Sequence, residues 1–144
     1  MATVIGAVLF IGLLIFGLGV LSYVTDRDIL DVPGLGQYPG VAGAAVALLV
    51  FALLLRPIVR GVRPSFGAVW LTALAATLVH LVAVWGGALL SGVGIAAATS
   101  AVSQLVVGGS SLVILLAGLL AGWTAVALRR TRNGPPRWPW EGDR

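Results

Sequence analysis

Residues 66–128 read FGAVWLTALAATLVHLVAVWGGALLSGVGIAAATSAVSQLVVGGSSLVILLAGLLAGWTAVAL, 63 consecutive positions without a charged side chain. Crossing the hydrocarbon core of a bilayer takes about 20 apolar residues. This run therefore holds two spans with a generous connection, or three with almost none. The charges on either side decide between them. Arg56, Arg60 and Arg63 precede the run with no acid among them, a charge of +3. Residues 129–144 follow it with Arg129, Arg130, Arg132, Arg137 and Arg144 against Glu141 and Asp143, again +3. Two spans put both basic segments on one side of the membrane. Three would separate them, against the tendency of arginine-rich segments to stay cytoplasmic. The reading is two spans, over about 67–90 and 105–128. Between them, Ser91-Gly92-Val93-Gly94, Thr99-Ser100 and Ser103-Gln104 supply turn and polar signals, and residues 95–102 read as a short interfacial helix.

Working outward, residues 3–24 carry no charge and would reach about 33 Å as a helix. There is no basic segment before them and no A-x-A site before Thr25, so they read as a retained helix rather than a cleaved leader. Residues 25–39 follow with Asp26, Asp28, Asp31 and a single Arg27, a net charge of −2, among breakers such as Pro33, Gly34 and Gly36. A second span is expected over 40–56, with Arg56 snorkelling to lengthen it. The expected fold is all-α: an integral membrane bundle of four transmembrane helices in residues 1–128, with a basic cytoplasmic tail over 129–144. Both termini are expected in the cytoplasm, which puts eight of the nine arginines inside.

Composition agrees. Apolar residues make up 59% and charged residues 10%, against about 25% charged in an ordinary soluble chain. Mean hydropathy is +1.06. Most of this chain is solvated by lipid, and the bilayer is its first partner. There is no cysteine, which removes disulfides, thiolate metal sites and cysteine nucleophiles. A single histidine removes a multi-histidine metal site within one chain. The pI near 11.2 comes from arginines in short segments beside apolar spans, a topology signal rather than a nucleic-acid surface. The abundance of Ala, Gly and Val, with arginine and no lysine, points to a high-GC bacterial genome.

Four groups of residues are candidates for chemistry. His80 is the one ionisable residue away from the ends of the expected spans, and Thr77 shares its helical face. A neutral imidazole there relays protons, gates a pore or ligates haem. Its plainer use is a hydrogen bond across the bundle. Ser110 and Ser111, after Gly108-Gly109 and beside Gln104, open the last span and form the most polar patch at membrane depth. They suit either an anion at a helix N-terminus or simple capping. Gly118 and Gly122 make a G-x-x-x-G with Ala121 beside it, a face for close helix packing within the bundle or against another chain. Arg129, Arg130, Arg132 and Arg137 with Trp138 and Trp140 suit an anchor on anionic lipid headgroups. Extended docking to a cytoplasmic partner is the other use of the tail.

What is absent narrows the classes. The expected spans hold no Asp or Glu, so coupling by a membrane carboxylate is excluded. H-E-x-x-H and G-x-S-x-G are missing as well. Thr25-Asp26-Arg27-Asp28 after the first span and Arg137-Trp138-Pro139-Trp140-Glu141 in the tail resemble a family of small four-helix actinobacterial membrane proteins of unknown function. The resemblance implies a multi-pass protein of a bacterial cytoplasmic (inner) membrane and brings no catalytic or binding residues. The functional expectation is a non-enzymatic accessory, scaffold or assembly subunit of a membrane complex, or a homo-oligomer, with no cofactor. The alternatives are a small channel or carrier for a neutral or anionic solute with His80 in the path, and a haem or quinone site using His80 at a dimer interface.

Overall fold

The structure, a computed structural model, describes residues 1–26, 28–61 and 64–131. Arg27, Arg63, Arg132, Arg137, Trp138 and Trp140 lie outside the described residues. The described chain is all-helical: α1 (Ala2–Thr25), α2 (Tyr38–Arg60), α3 (Phe66–Leu90), α4 (Gly94–Val107) and α5 (Ser110–Thr131). Four of them, α1, α2, α3 and α5, are long and apolar enough to cross a membrane. The chain is thus an all-α membrane bundle of four spanning helices, with a shorter apolar helix, α4, added.

The ends of these helices follow from local chemistry. At the end of α1, Asp26 takes a left-handed φ of 50° and its N–H donates to Ser22 O, a conformation Asp tolerates better than most residues. Helix α2 begins with Pro39 in its first turn, where no N–H is required. It continues through Pro57 to Arg60, four residues beyond the expected span, and Gly61 N–H closes it on Pro57 O at 3.0 Å. The fourth spanning helix starts at Ser110 rather than near 105. Residues 105–107 belong instead to α4, which is longer than the expected 95–102. The reason is Gly109, whose φ of 86° is closed to most side chains and turns the chain between the two helices.

The spanning helices form a ring, α1 against α2, α2 against α3, α3 against α5 and α5 against α1, and successive neighbours run antiparallel. Glycines set the approach. A Cβ on Gly6 of α1 would stand 2.8 Å from Leu55 Cδ2 and 3.1 Å from Ala125 Cβ. One on Gly87 of α3 would stand 3.3 Å from Pro39 Cβ on α2. At the centre, the rings of Phe10 and Phe51 stack at 4.6 Å, with Leu14, Leu55, Ala76, Ile114 and Ala117 packed around them. In lipid such contacts act through dispersion and shape rather than through exclusion of water. A second cluster joins α4 (Ala98, Ala101, Leu105) to the end half of α3 (Val84, Ala88) and to Leu35 of the first loop. This end carries Asp26, Asp28 and Asp31, and the opposite end carries Arg56, Arg60, Arg129 and Arg130. We call them the acidic and basic ends.

Candidate functional site

The polar residues fall in three places. His80 and Thr77 lie buried inside the bundle on α3, His80 against α2. His80 is 4% exposed. Its ring sits against Gly43, where a Cβ would come within 3.1 Å of Nδ1 and 3.2 Å of Cε1. Nδ1 is sealed from solvent and closes no hydrogen bond. The Thr77 hydroxyl is turned back along its own helix and donates to Ala73 O at 2.9 Å. Neither residue is therefore linked by a polar chain to the other candidates.

At the acidic end the structure builds a cup of about 830 Å³ where the end of α1, the first loop, α4 and the start of α5 converge. Asp26, Asp28 and Asp31 line one part of it, and Gln104 and Ser110 another. Gln104 does structural work here. Its side-chain amide accepts from Asp31 N–H and donates to Asp31 O, both at 3.0 Å, as a neighbouring backbone strand would. This pins the first loop to α4 across 73 positions of sequence. Ser110 is 2% exposed and its hydroxyl makes no hydrogen bond among the described residues. Ser111 is occupied, donating to Leu105 O at 3.2 Å across the α4–α5 turn. So the cup brings together Gln104 and Ser110 from the expected polar patch. It leaves His80 and Thr77 elsewhere, and adds three carboxylates that the sequence offered only as loop charge. Among the described residues no group of three His, Cys, Asp or Glu side chains converges to hold a metal ion.

The small face of α5 is filled from within the chain. A Cβ on Gly118 would lie 3.0 Å from Ala73 Cβ and 3.6 Å from Phe10 Cε2. One on Gly122 would overlap Val69 Cγ1. Ala121 is fully buried in the Phe10–Phe51 core. Of the two uses open to the G-x-x-x-G face, the structure shows packing inside the bundle, between α3 and α5.

Arg129 and Arg130, expected at lipid headgroups, also serve the fold. Arg129 Nε donates to Val59 O at 3.2 Å. Arg130 donates through Nε and Nη2 to Pro64 O at 3.0 and 2.7 Å, and its guanidinium lies 4.6 Å over the Phe66 ring. The last turn of α5 thus holds the end of α2 and the start of α3. Near that seam Trp70 and Trp123 meet edge-on at 6.0 Å, and the buried Trp123 Nε1–H closes no hydrogen bond.

A further feature that sequence reading passed over lies on α1. Ile5, Val8, Gly12, Ile15, Phe16 and Gly19 share one face at helical spacing. Val8, Ile15 and Phe16 are each at least 64% exposed, and nothing lies within 4 Å of where a Cβ would stand on Gly12 or Gly19. Gly6 and Gly17 face the other way and are met by Leu55 and Val113. No family model, curated protein or solved structure matches the chain.

Proposed function

We propose that the protein is a non-enzymatic accessory or scaffold subunit of a bacterial cytoplasmic membrane, which docks through α1 onto a spanning helix of a larger complex or of a second copy. The observation that carries this is the glycine-floored face of α1. Gly12 and Gly19 lie at the bottom of a shallow groove between Val8, Ile15 and Phe16, and no part of the described chain enters it. Small residues at helical spacing let a second backbone come close, gaining dispersion contacts that lipid tails do not supply as specifically. The G-x-x-x-G face of α5 is already used inside the bundle and does not compete for this role. His80 lies between α2 and α3 and not on an outward face, which favours neither a facing pair of histidines at a dimer seam nor a path continuous with Ser110. In this reading both termini and the basic end are cytoplasmic.

The experiment is native mass spectrometry of the full chain, extracted from its own membrane in mild detergent, with Gly12→Leu and Gly19→Leu compared with wild type. The wild type is expected to retain a stoichiometric partner or second copy, and the variants to lose it while keeping wild-type thermal stability. Gly118→Leu is the contrast, since it is expected to lower stability by overpacking α3 against α5. Association untouched by both α1 variants would overturn the proposal.

A further inference from the structure

The arginines of the basic end are used in two different ways. Arg129 and Arg130 are tied into the fold by their bonds to Val59 O and Pro64 O. Arg56 and Arg60 are exposed, and neither makes a hydrogen bond or ion pair with a described residue. They stand four positions apart on α2, so they leave the helix on one side, with Cβ atoms about 5–6 Å apart. Fixing topology requires only that arginines lie near the end of a span. These two also stand at the foot of an apolar stripe. Val46, Leu49 and Leu53 are 39%, 59% and 57% exposed. With Arg56 and Arg60 they follow one another at alternating steps of three and four residues, on one face of α2. Ala47, Phe51, Leu55 and Val59, on the opposite side, are buried in the bundle.

The charge around this foot has one sign. Every carboxylate among the described residues, on Asp26, Asp28 and Asp31, lies at the acidic end. The last carbonyls of a helix would repel an anion, but here Val59 O accepts from Arg129 at 3.2 Å and Pro57 O from Gly61 N–H at 3.0 Å. A headgroup that carries an ammonium finds no carboxylate to meet it. A phosphate finds two guanidiniums, whose N–H groups match its oxygens. The stripe has the length of an acyl chain's path. From Arg56 to Val46 is ten residues of helix, about 15 Å, which is half of a hydrocarbon core about 30 Å thick.

We propose that Arg56, Arg60 and the Val46–Leu49–Leu53 stripe bind an anionic phospholipid of the leaflet at the basic end. The phosphodiester meets the two guanidiniums, and one acyl chain lies along the stripe. The lipid is of the class whose headgroup carries a phosphate and no amine, such as phosphatidylglycerol. The site lies on α2 and is independent of docking through α1.

The test uses the full chain, purified and placed in detergent micelles with equal amounts of phosphatidylglycerol and phosphatidylcholine of the same acyl chains. Retained lipids are counted by native mass spectrometry. The wild type is expected to retain phosphatidylglycerol selectively. Arg56→Gln and Arg60→Gln should each weaken that retention about fivefold, the effect of removing one basic group from beside anionic lipid, with thermal unfolding unchanged. The double variant should lose more than either single one, and Arg56→Lys with Arg60→Lys, which keeps both charges, should preserve the preference. Asp28→Asn alters the charge at the far end and should leave it unchanged. A preference that survives the double Gln variant would overturn the proposal, as would a shift of the same size in Asp28→Asn, which would make net charge rather than place the cause. Calorimetric binding of inorganic phosphate to the lipid-free protein, lost in the same Gln variants and without any lipid preference, would assign the arginines to a soluble anion and overturn it too.

Discussion

At the scale of single residues, His80 is the sharpest case of a residue type whose meaning depends on its surroundings. An ionisable side chain within a membrane span is read as functional by default. Here it is wedged against Gly43 with Nδ1 closing no hydrogen bond. A buried polar atom without a partner costs stability, and replacing it by an apolar group of similar shape is neutral or favourable. His80→Leu is therefore expected to leave thermal unfolding in micelles unchanged within about 1 kcal/mol, or to raise stability. Gly43→Ala is expected to do the opposite. Its Cβ would stand 2.7 Å from Val84 Cγ2 and about as close to the histidine ring as the ring can tolerate, and overpacking of this kind costs about 1–3 kcal/mol. A loss of several kcal/mol in His80→Leu would mean that the imidazole has a partner and that its polar character holds α2 to α3.

At the scale of elements, much was legible and the remainder has identifiable physical causes. The four spanning helices show in the sequence because lipid demands long uncharged runs, and arginines mark where those runs stop. The break between α4 and α5 was not legible, because residues 105–107 are Leu-Val-Val and continue the apolar run up to Gly108. Only the backbone at Gly109 reveals the turn. The G-x-x-x-G of α5 was readable as a packing face, but its partner on α3 was not, since Ala73 and Val69 carry no distinguishing pattern. The cup was half legible. Ser110 and Gln104 stood out as polar residues at membrane depth, whereas the three aspartates looked like ordinary loop charge. What joins them is the pairing of Gln104 with the Asp31 backbone, a contact that no local periodicity encodes. That pairing is itself testable. Gln104→Ala removes both hydrogen bonds and is expected to raise the hydrogen-exchange rate of the Asp31 amide about tenfold or more, as loss of roughly 1–2 kcal/mol of local protection would. Exchange in α4 itself should stay close to wild type. Unchanged exchange across residues 28–37 would show that the apolar contacts of Ile29, Leu30, Val32 and Leu35 hold the loop without the amide.

At the scale of the whole molecule, the bundle is polarised along its axis. Acids and α4 gather at one end. At the other, Arg129 and Arg130 bind the carbonyls of Val59 and Pro64, joining the two basic segments into one surface. That joining matters for orientation. Insertion responds to arginines near the ends of spans, and packing has brought the arginines of two separate segments to the same face, so they act in the same direction. The acidic end is then expected outside. The chain has no cysteine, so single cysteines can be introduced without removing native ones. Asp28→Cys lies on an exposed loop at the acidic end, and Ser65→Cys on an exposed position at the basic end. A membrane-impermeant maleimide applied to intact cells is expected to label Asp28→Cys, and to reach Ser65→Cys only after permeabilisation. The reverse pattern would turn the bundle over and put the aspartate-lined cup on the cytoplasmic face. The helix contacts described above would survive that reversal, because glycine seams and a phenylalanine stack do not depend on which end faces the cytoplasm. Orientation rests on the charges alone, and the labelling tests them separately from the packing.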